Sequence, residues 1–254
     1  MSPWQPLGTE DFVEGFVSDT VLKVQSFTDK LGDLHNPQVA LYLLRHSLGI
    51  ARVTHMLRCI DPTVIKPQID GFDAVLFSAL GQICADDISA DAWIQAGLPI
   101  RMGGLGLTHA RSVSASAYVA SFLTFVDSRD VIGFPWQIHP PVGFQNSANM
   151  LTNLTGGTIP VTKSWCTTDS TPSSGVSDHR SQHWWASHIF PQARLSLLSE
   201  CPARDRSRLQ RLQDPMAGAW LTQVPCESLG LSFNPTEFQT LLRWRLGMQL
   251  SPSI

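Results

Sequence analysis

WIQAGLPIRMGGLGLTHARSVSASAYVAS, residues 93–121, is the stretch whose reading decides the fold. Pro99 fixes its own φ and biases Leu98 away from helix, so a first helical segment ends at Gly97-Leu98-Pro99. Gly103, Gly104 and Gly106 then supply positive φ or close backbone approach, which other residues tolerate poorly, and predict a rigid bend. A long helix follows over residues 110–122, carrying Arg111, Tyr118 and Phe122. Its small side chains (Ala110, Ser112, Ser114, Ala115, Ser116, Ala117 and Ala120) admit a neighbouring helix at close range. No pair of catalytic groups stands in this stretch, so it reads as a structural hub.

Upstream of the hub the chain punctuates itself into helices. Thr9, followed by Glu10 and Asp11, makes a helix N-terminus with acids at the positive end of the dipole. Phe12, Phe16, Val21, Val24 and Phe27 recur at helical spacing, and Leu31-Gly32 ends the run. Asn36-Pro37 restarts it with a capping Asn and a Pro at the first helical position. Residues 39–56 then read as one helix, with Leu41, Leu44, Leu48 and Ala51 on one face and Arg45, Arg52 and His55 around the other. Asp61-Pro62 repeats the cap-and-proline signal, Pro67 delays or kinks the next helix, and Phe72, Val75, Leu76, Ala79, Leu80 and Ile83 carry its apolar face. Ser89 caps the short helix that holds Trp93. The expectation is a compact all-α unit.

Downstream the character changes. Between Asp127 and Ser181, Pro135, Pro140, Pro141, Pro160 and Pro172 alternate with Gly156-Gly157 and Ser/Thr runs, a composition that reads as an irregular linker. Helix returns over residues 183–198 and 204–213. Asp214-Pro215 marks a junction, residues 216–221 a short apolar helix, and residues 227–231 a loop or brief strand. Asn234-Pro235-Thr236-Glu237 is a well-formed cap signal for a last helix that ends at Gly247. The fold class is therefore mainly α. The expected division is a helical domain over residues 1–125, an irregular Pro/Gly/Ser-rich linker over 126–182 and a short C-terminal helical region over 183–254.

The 254 residues carry a formal net charge of −3, which argues against a dedicated nucleic-acid binder. The distribution matters more. Residues 1–120 hold 8 Lys/Arg against 12 Asp/Glu, and residues 121–254 hold 10 against 9, with Arg204, Arg206, Arg208 and Arg211 bunched together. Arginine outnumbers lysine, as phosphate recognition prefers. Five widely spaced cysteines with no CxxC pair point to reduced thiols and an intracellular setting, cytoplasmic or nuclear. The first residues lack the basic and apolar regions of a secretory signal, and no apolar run approaches the roughly 20 residues that span a bilayer. No membrane partner is expected.

Four constellations invite a chemical reading. Cys84-Ala85-Asp86-Asp87-Ile88 looks like an adjacent-aspartate box for two Mg²⁺, but helix precedes it and another helix cap follows, so it reads as a solvated interhelical loop. His179, His183 and His188, flanked by Cys166 and Cys201, suggest zinc. Only half the ligand-spacing rule is met, and Trp184 and Trp185 between the histidines offer a partly buried aromatic face instead. Residues 102–106 lack the GK[ST] ending of a phosphate loop and read as turn geometry. Arg45, Arg52 and Arg58, spaced by seven and six, fall near one helical face, where they either track a nucleic-acid backbone or form an ordinary solvated surface. No catalytic residue, metal site or cofactor is assigned.

The hub pattern W-x-Q-A-x-L-P-x-x-x-GGLGL with its Ala/Ser-rich helix resembles a segment downstream of the palm in non-LTR retrotransposon-type reverse transcriptases. LLRHSLGIARVTHMLRC, residues 43–59, is similar to the arginine-bearing stretch that precedes it in those polyproteins. AWLTQVPCESLGLSFNPTEFQTLLRWRLGM, residues 219–248, is similar to the block that follows it. Order and rough spacing agree for all three. The resemblance implies a thumb-like helical bundle that grips primer and template, from a parent with RNA-directed DNA polymerase activity. The aspartate box at Asp86-Asp87 lies after the LLR stretch, whereas the family's catalytic box lies before it. The resemblance thus implies a non-catalytic part of such a polyprotein, without fingers and palm and with its C-terminal segment truncated. Its expected contacts are a primer–template duplex through Arg45, Arg52, Arg58, Arg101 and Arg111, and other parts of the parent polyprotein. A helical protein-interaction module, presenting Trp136, Trp165, Trp184 and Trp185 as exposed aromatics, is the competing expectation.

Overall fold

The computed structural model describes residues 8–128, 143–157 and 181–250. They are mainly α-helical, with no strand among them. In chain order the helices are α1 (Glu10–Thr28), α2 (Pro37–Leu43), α3 (Thr54–Cys59), α4 (Lys66–Cys84), α5 (Ala90–Gly97), α6 (Ala110–Ser128), α7 (Phe144–Leu154), α8 (Gln182–Glu200), α9 (Ala203–Arg211), α10 (Ala219–Thr222) and α11 (Pro235–Leu246). Single 3₁₀ turns lie at Ile100–Met102 and Glu227–Leu229.

Local chemistry sets most of these boundaries. The Asn36 side chain accepts from the amides of Gln38 and Val39, with Pro37 at the first helical position. Ser89 accepts from the Ala92 amide, and Asn234 from that of Thr236. Each occupies an amide that the helix leaves without an internal partner. Gly247 ends α11 at φ 74°, where its amide returns to the carbonyls of Arg243 and Trp244. Asp61 accepts from the Thr63 amide rather than capping a helix directly, and α4 starts only at Lys66, one residue before Pro67.

The described residues divide into two compact units that interleave along the sequence: those within Met1–Ser18, Val53–Asp70 and Ala110–Gln192 form the first, and those within Asp19–Arg52, Gly71–His109 and Ala193–Ile254 the second. The boundary anticipated at 125/126 falls inside α6, and the one at 182/183 at the first residues of α8.

In the first unit α6 packs against α3 and α7. Its alanines and serines permit the approach: Ala110, Ser114, Ala115, Ser116, Ala117 and Ala120 are all buried. Ala115, Val119 and Leu123 meet Phe144, Ala148 and Leu151 of α7 and Trp185 and Ile189 of α8 in one apolar core. Two expectations are corrected here. The span 126–182 is not wholly irregular, because Phe144, Ala148 and Leu151 recur at i, i+4 and i+7 and bury one face of α7. Trp185 is no exposed aromatic; it is 0% accessible, and Trp184 is half-buried, its ring edge-on to Trp185 at 4.8 Å. Trp136 and Trp165 lie outside the described residues.

In the second unit α11 packs on α2 and α5. The apolar face expected of α4 is buried throughout, from Phe72 to Cys84. Gln38 pins the loop before α11, donating to the Leu231 carbonyl at 3.0 Å and accepting from the Phe233 amide at 2.9 Å. The single helix expected over residues 39–56 is broken. After α2 comes one π-type turn at Leu44–Leu48, then Gly49, a 3₁₀ turn at Ile50–Arg52, and α3. Only glycine fits at the break, since a Cβ on residue 49 would stand 2.8 Å from the Leu44 carbonyl oxygen. The stripe of α1 is also shifted: Val17, Val24 and Thr28 are buried, while Phe12 and Phe27 are exposed.

Candidate functional site

The glycine bend is built from backbone that only glycine fits. Gly103 and Gly106 hold φ of 93° and 71°. Gly104 has no room for a side chain, because a Cβ would collide with the Leu98 carbonyl and stand 2.6 Å from that of Gln95. Folding the chain this tightly turns the carbonyls of Gly103 and Gly104 away from any helix or sheet partner and leaves that of Ile100 with the Gly103 amide alone. Buried carbonyls need donors.

Arg245, on the last turn of α11 and only 1% accessible, supplies those for Gly104 and Ile100. Its Nε donates to the Gly104 carbonyl at 3.0 Å, Nη2 to Ile100 at 2.8 Å and Nη1 to Ala217 at 2.9 Å. A planar guanidinium with divergent donors matches such a set, which an ammonium does not. Burial, then the neighbouring Arg208 and Arg45, push its pKa down to about 10, which leaves it protonated at neutral pH. Buried Gln95 on α5 bridges the same elements, donating to the carbonyls of Gly103 at 2.8 Å and Arg245 at 2.7 Å. Its Oε1 accepts from Arg208 Nη1 at 3.1 Å. Arg208 also donates to the Arg245 carbonyl and pairs with Asp205 at 3.0 Å.

Arg243, two residues before Arg245, faces a different loop. It donates to the carbonyls of Cys84 at 2.7 Å and Ala85 at 2.9 Å, with Asp86 at 4.0 Å. Ala85 is held at φ 50°, a left-handed conformation unusual for alanine, at the point where Arg243 grips the chain. The Asp86-Asp87 box is thus an exposed turn whose first carboxylate caps the next amide. Burial pushes the Cys84 thiol up to about 12. His109 is buried, stacked on Trp93 with centroids 3.8 Å apart, and its Nε2 has no partner among the described residues. Burial holds its pKa down to about 4, so it is neutral.

The arginines expected to contact nucleic acid separate into two groups. Arg45 is half-buried in the π-type turn, with Nη1 donating to the Leu221 carbonyl at 2.7 Å, so its guanidinium is committed inside the second unit. Arg52 is exposed, donating to the Ser47 carbonyl at 2.9 Å and lying 5.7 Å from the centre of the Phe27 ring. Arg58 is exposed on α3, 3.2 Å from Gln182 Oε1. Arg101 on the 3₁₀ turn and Arg111 in the first turn of α6 are both exposed. Arg45, Arg52 and Arg58 do not form a row on one helix, because the break at Gly49 removes that helix.

The histidine cluster reads as helix surface. His183 is exposed, and His188 Nδ1 lies 2.9 Å from the Trp184 carbonyl. His179 and Cys166 lie outside the described residues. Among the described residues no group of three His, Cys, Asp or Glu is placed to hold a metal, and no helix is long and apolar enough to cross a membrane.

Sequence reasoning missed Gln95, Arg208, Arg243 and Arg245. An Arg-x-Arg pair near the end of an amphipathic helix was the available signal, since two residues apart they cannot share a face. No family model, curated protein or solved structure matches the chain.

Proposed function

We propose that the chain is a non-catalytic helical part of a non-LTR retrotransposon-type reverse transcriptase polyprotein, with a role in binding primer–template nucleic acid. The observation that carries the reading is a convergence. The second unit holds residues 43–52 of the first stretch, 93–109 of the middle one and all of the third, and within it these parts meet. Arg45 of the first reaches the Leu221 carbonyl of the third, 176 residues away. Arg245 of the third bonds Ile100 and Gly104 of the middle one. A shared polar knot is a physical reason for those stretches to occur together. Arg245 there donates to three carbonyls and Arg45 to one through Nη1, so both act as scaffold. Contact with phosphate then falls to the exposed Arg52, Arg58, Arg101 and Arg111, with Arg45 positioning the bend.

Arg52→Glu tests this directly. With the helical fold intact by circular dichroism, its affinity for an RNA–DNA hybrid drops, and the salt slope falls by about 1. An unchanged affinity contradicts the assignment.

A helical interaction module without enzymatic activity is the second reading. It is favoured by the exposed Met216, Val224 and Leu229, 74%, 57% and 70% accessible, clustered in sequence between α9 and α11. A folded chain that ignores nucleic acid yet associates through this segment would select it.

A further inference from the structure

We infer that a groove formed by α9 and the end of α11 takes an unpaired nucleic-acid strand, with phosphates on Arg204 and Arg211 and a base stacked on Trp244. The inference rests on the nucleic-acid reading above and names the part of the ligand that one surface would hold. The groove, of about 280 Å³, is lined by Arg204, Asp205, Arg208, Arg211, Trp244 and Met248, among others.

Three features separate it from an ordinary charged helix face. First, the cations of α9 are used unequally. Arg206 bonds the Leu198 and Cys201 carbonyls, and Arg208 pairs with Asp205 and Gln95. The guanidinium groups of Arg204 and Arg211 have no hydrogen-bond or ion-pair partner among the described residues, and both line this groove. Three guanidinium groups face one carboxylate there, so the groove stays electropositive in a chain of net charge −3. Second, Arg204 and Arg211 are seven residues apart, two turns on one face and about 10 Å along the axis. That is the rise of about three stacked nucleotides at roughly 3.4 Å per step. Third, Trp244 is 44% accessible, an indole open to solvent beside unpaired cations.

A guanidinium binds phosphate through paired donors, and an indole face stacks on any base without reading its sequence. Together they favour a single strand. Bases inside a duplex are already stacked and cannot reach Trp244.

The test uses the full chain and a fluorescein-labelled RNA–DNA hybrid, either blunt or carrying an oligo(dT) extension. Arg204→Gln/Arg211→Gln, Trp244→Ala and Trp244→Phe are compared with the parent chain, each first shown by circular dichroism to be helical. The extension is expected to tighten binding. The double arginine variant should lose that gain and lower the salt slope by about 1.4, at about 0.7 per single-strand phosphate. Trp244→Ala should weaken binding to the extended substrate by about 5- to 150-fold, and Trp244→Phe should keep most of it. If the chain binds both substrates equally and the variants change nothing, the groove is overturned and the broader reading survives. A folded chain that binds neither substrate overturns both. Capture of polyglutamate with the same dependence on Arg204, Arg211 and Trp244, without affinity for the extension, assigns the groove to an acidic peptide and overturns the strand.

Discussion

Replacing Arg245 with Met removes the guanidinium while keeping most of the side-chain length. Three carbonyls lose a donor, although that of Ile100 keeps the Gly103 amide and that of Ala217 keeps Trp220 Nε1. That of Gly104 belongs to a buried residue and bears the full penalty of an orphaned acceptor, about 1–3 kcal/mol. Those of Ile100 and Ala217 belong to half-buried residues that water can reach, so each forfeits only the net bond, about 0.5–1.5 kcal/mol. The sum, about 2–6 kcal/mol, is a large share of the 5–15 kcal/mol that holds a typical domain. Removing a buried cation recovers some desolvation, but the carbonyls cannot be replaced with it. At a urea sensitivity of about 2 kcal/mol per molar, the middle of the usual range, the midpoint should fall by roughly 1–3 M. Arg245→Lys should fall between parent and Met, because an ammonium cannot serve three divergent carbonyls. The assay is urea unfolding followed by circular dichroism and tryptophan fluorescence. A Met variant that melts with the parent chain would refute the claim that this guanidinium organises the second unit.

Other residues give independent checks. Gly104→Ala should destabilise by about 3 kcal/mol or more, the upper range of overpacking, because the atoms met are backbone; thermal melting reads it. His109 titrates near 4 when folded and near 6.5 when unfolded, so the unfolded chain binds the extra proton between those values. Its contribution is intact above about pH 6.5 and erodes by about 3 kcal/mol as pH falls to 4. His109→Phe should flatten that part of the stability–pH curve. Among the described cysteines, Cys226 has its thiol pKa lowered by the Ser228 hydroxyl, whereas burial raises that of Cys84 to about 12. Iodoacetamide at neutral pH should therefore modify Cys226 readily and leave Cys84 untouched until the chain unfolds, as peptide mass mapping would record.

What could be read from the sequence was what depends on a few neighbouring residues. Asn36-Pro37, Ser89 and Asn234-Pro235 cap helices where they were expected, and Gly103, Gly104 and Gly106 form the bend. The buried face of α4 followed from its apolar spacing. Failures began where a residue's role depends on distant partners. Gly49 sits in an otherwise helical pattern, and its close contact with the Leu44 carbonyl is visible only once the π-type turn exists. The apolar positions of α7 were legible, but the prolines and glycines around them outweighed three residues of signal. Gln95 and Arg245 lie 150 residues apart, and nothing local says that one donates to the other's carbonyl. The arginines were ranked by spacing along a helix. The determining quantity was which of them the glycine bend required as donors.

The proposed role is tested most directly by fluorescence anisotropy of the full chain with an RNA–DNA hybrid across a salt series. The account predicts affinity that falls with salt by about 0.9 logarithmic units per neutralised phosphate, giving a slope of roughly −3 to −4 for Arg52, Arg58, Arg101 and Arg111 on a blunt hybrid. A helical, cooperatively melting chain that shows no binding, or binding indifferent to salt, would contradict it.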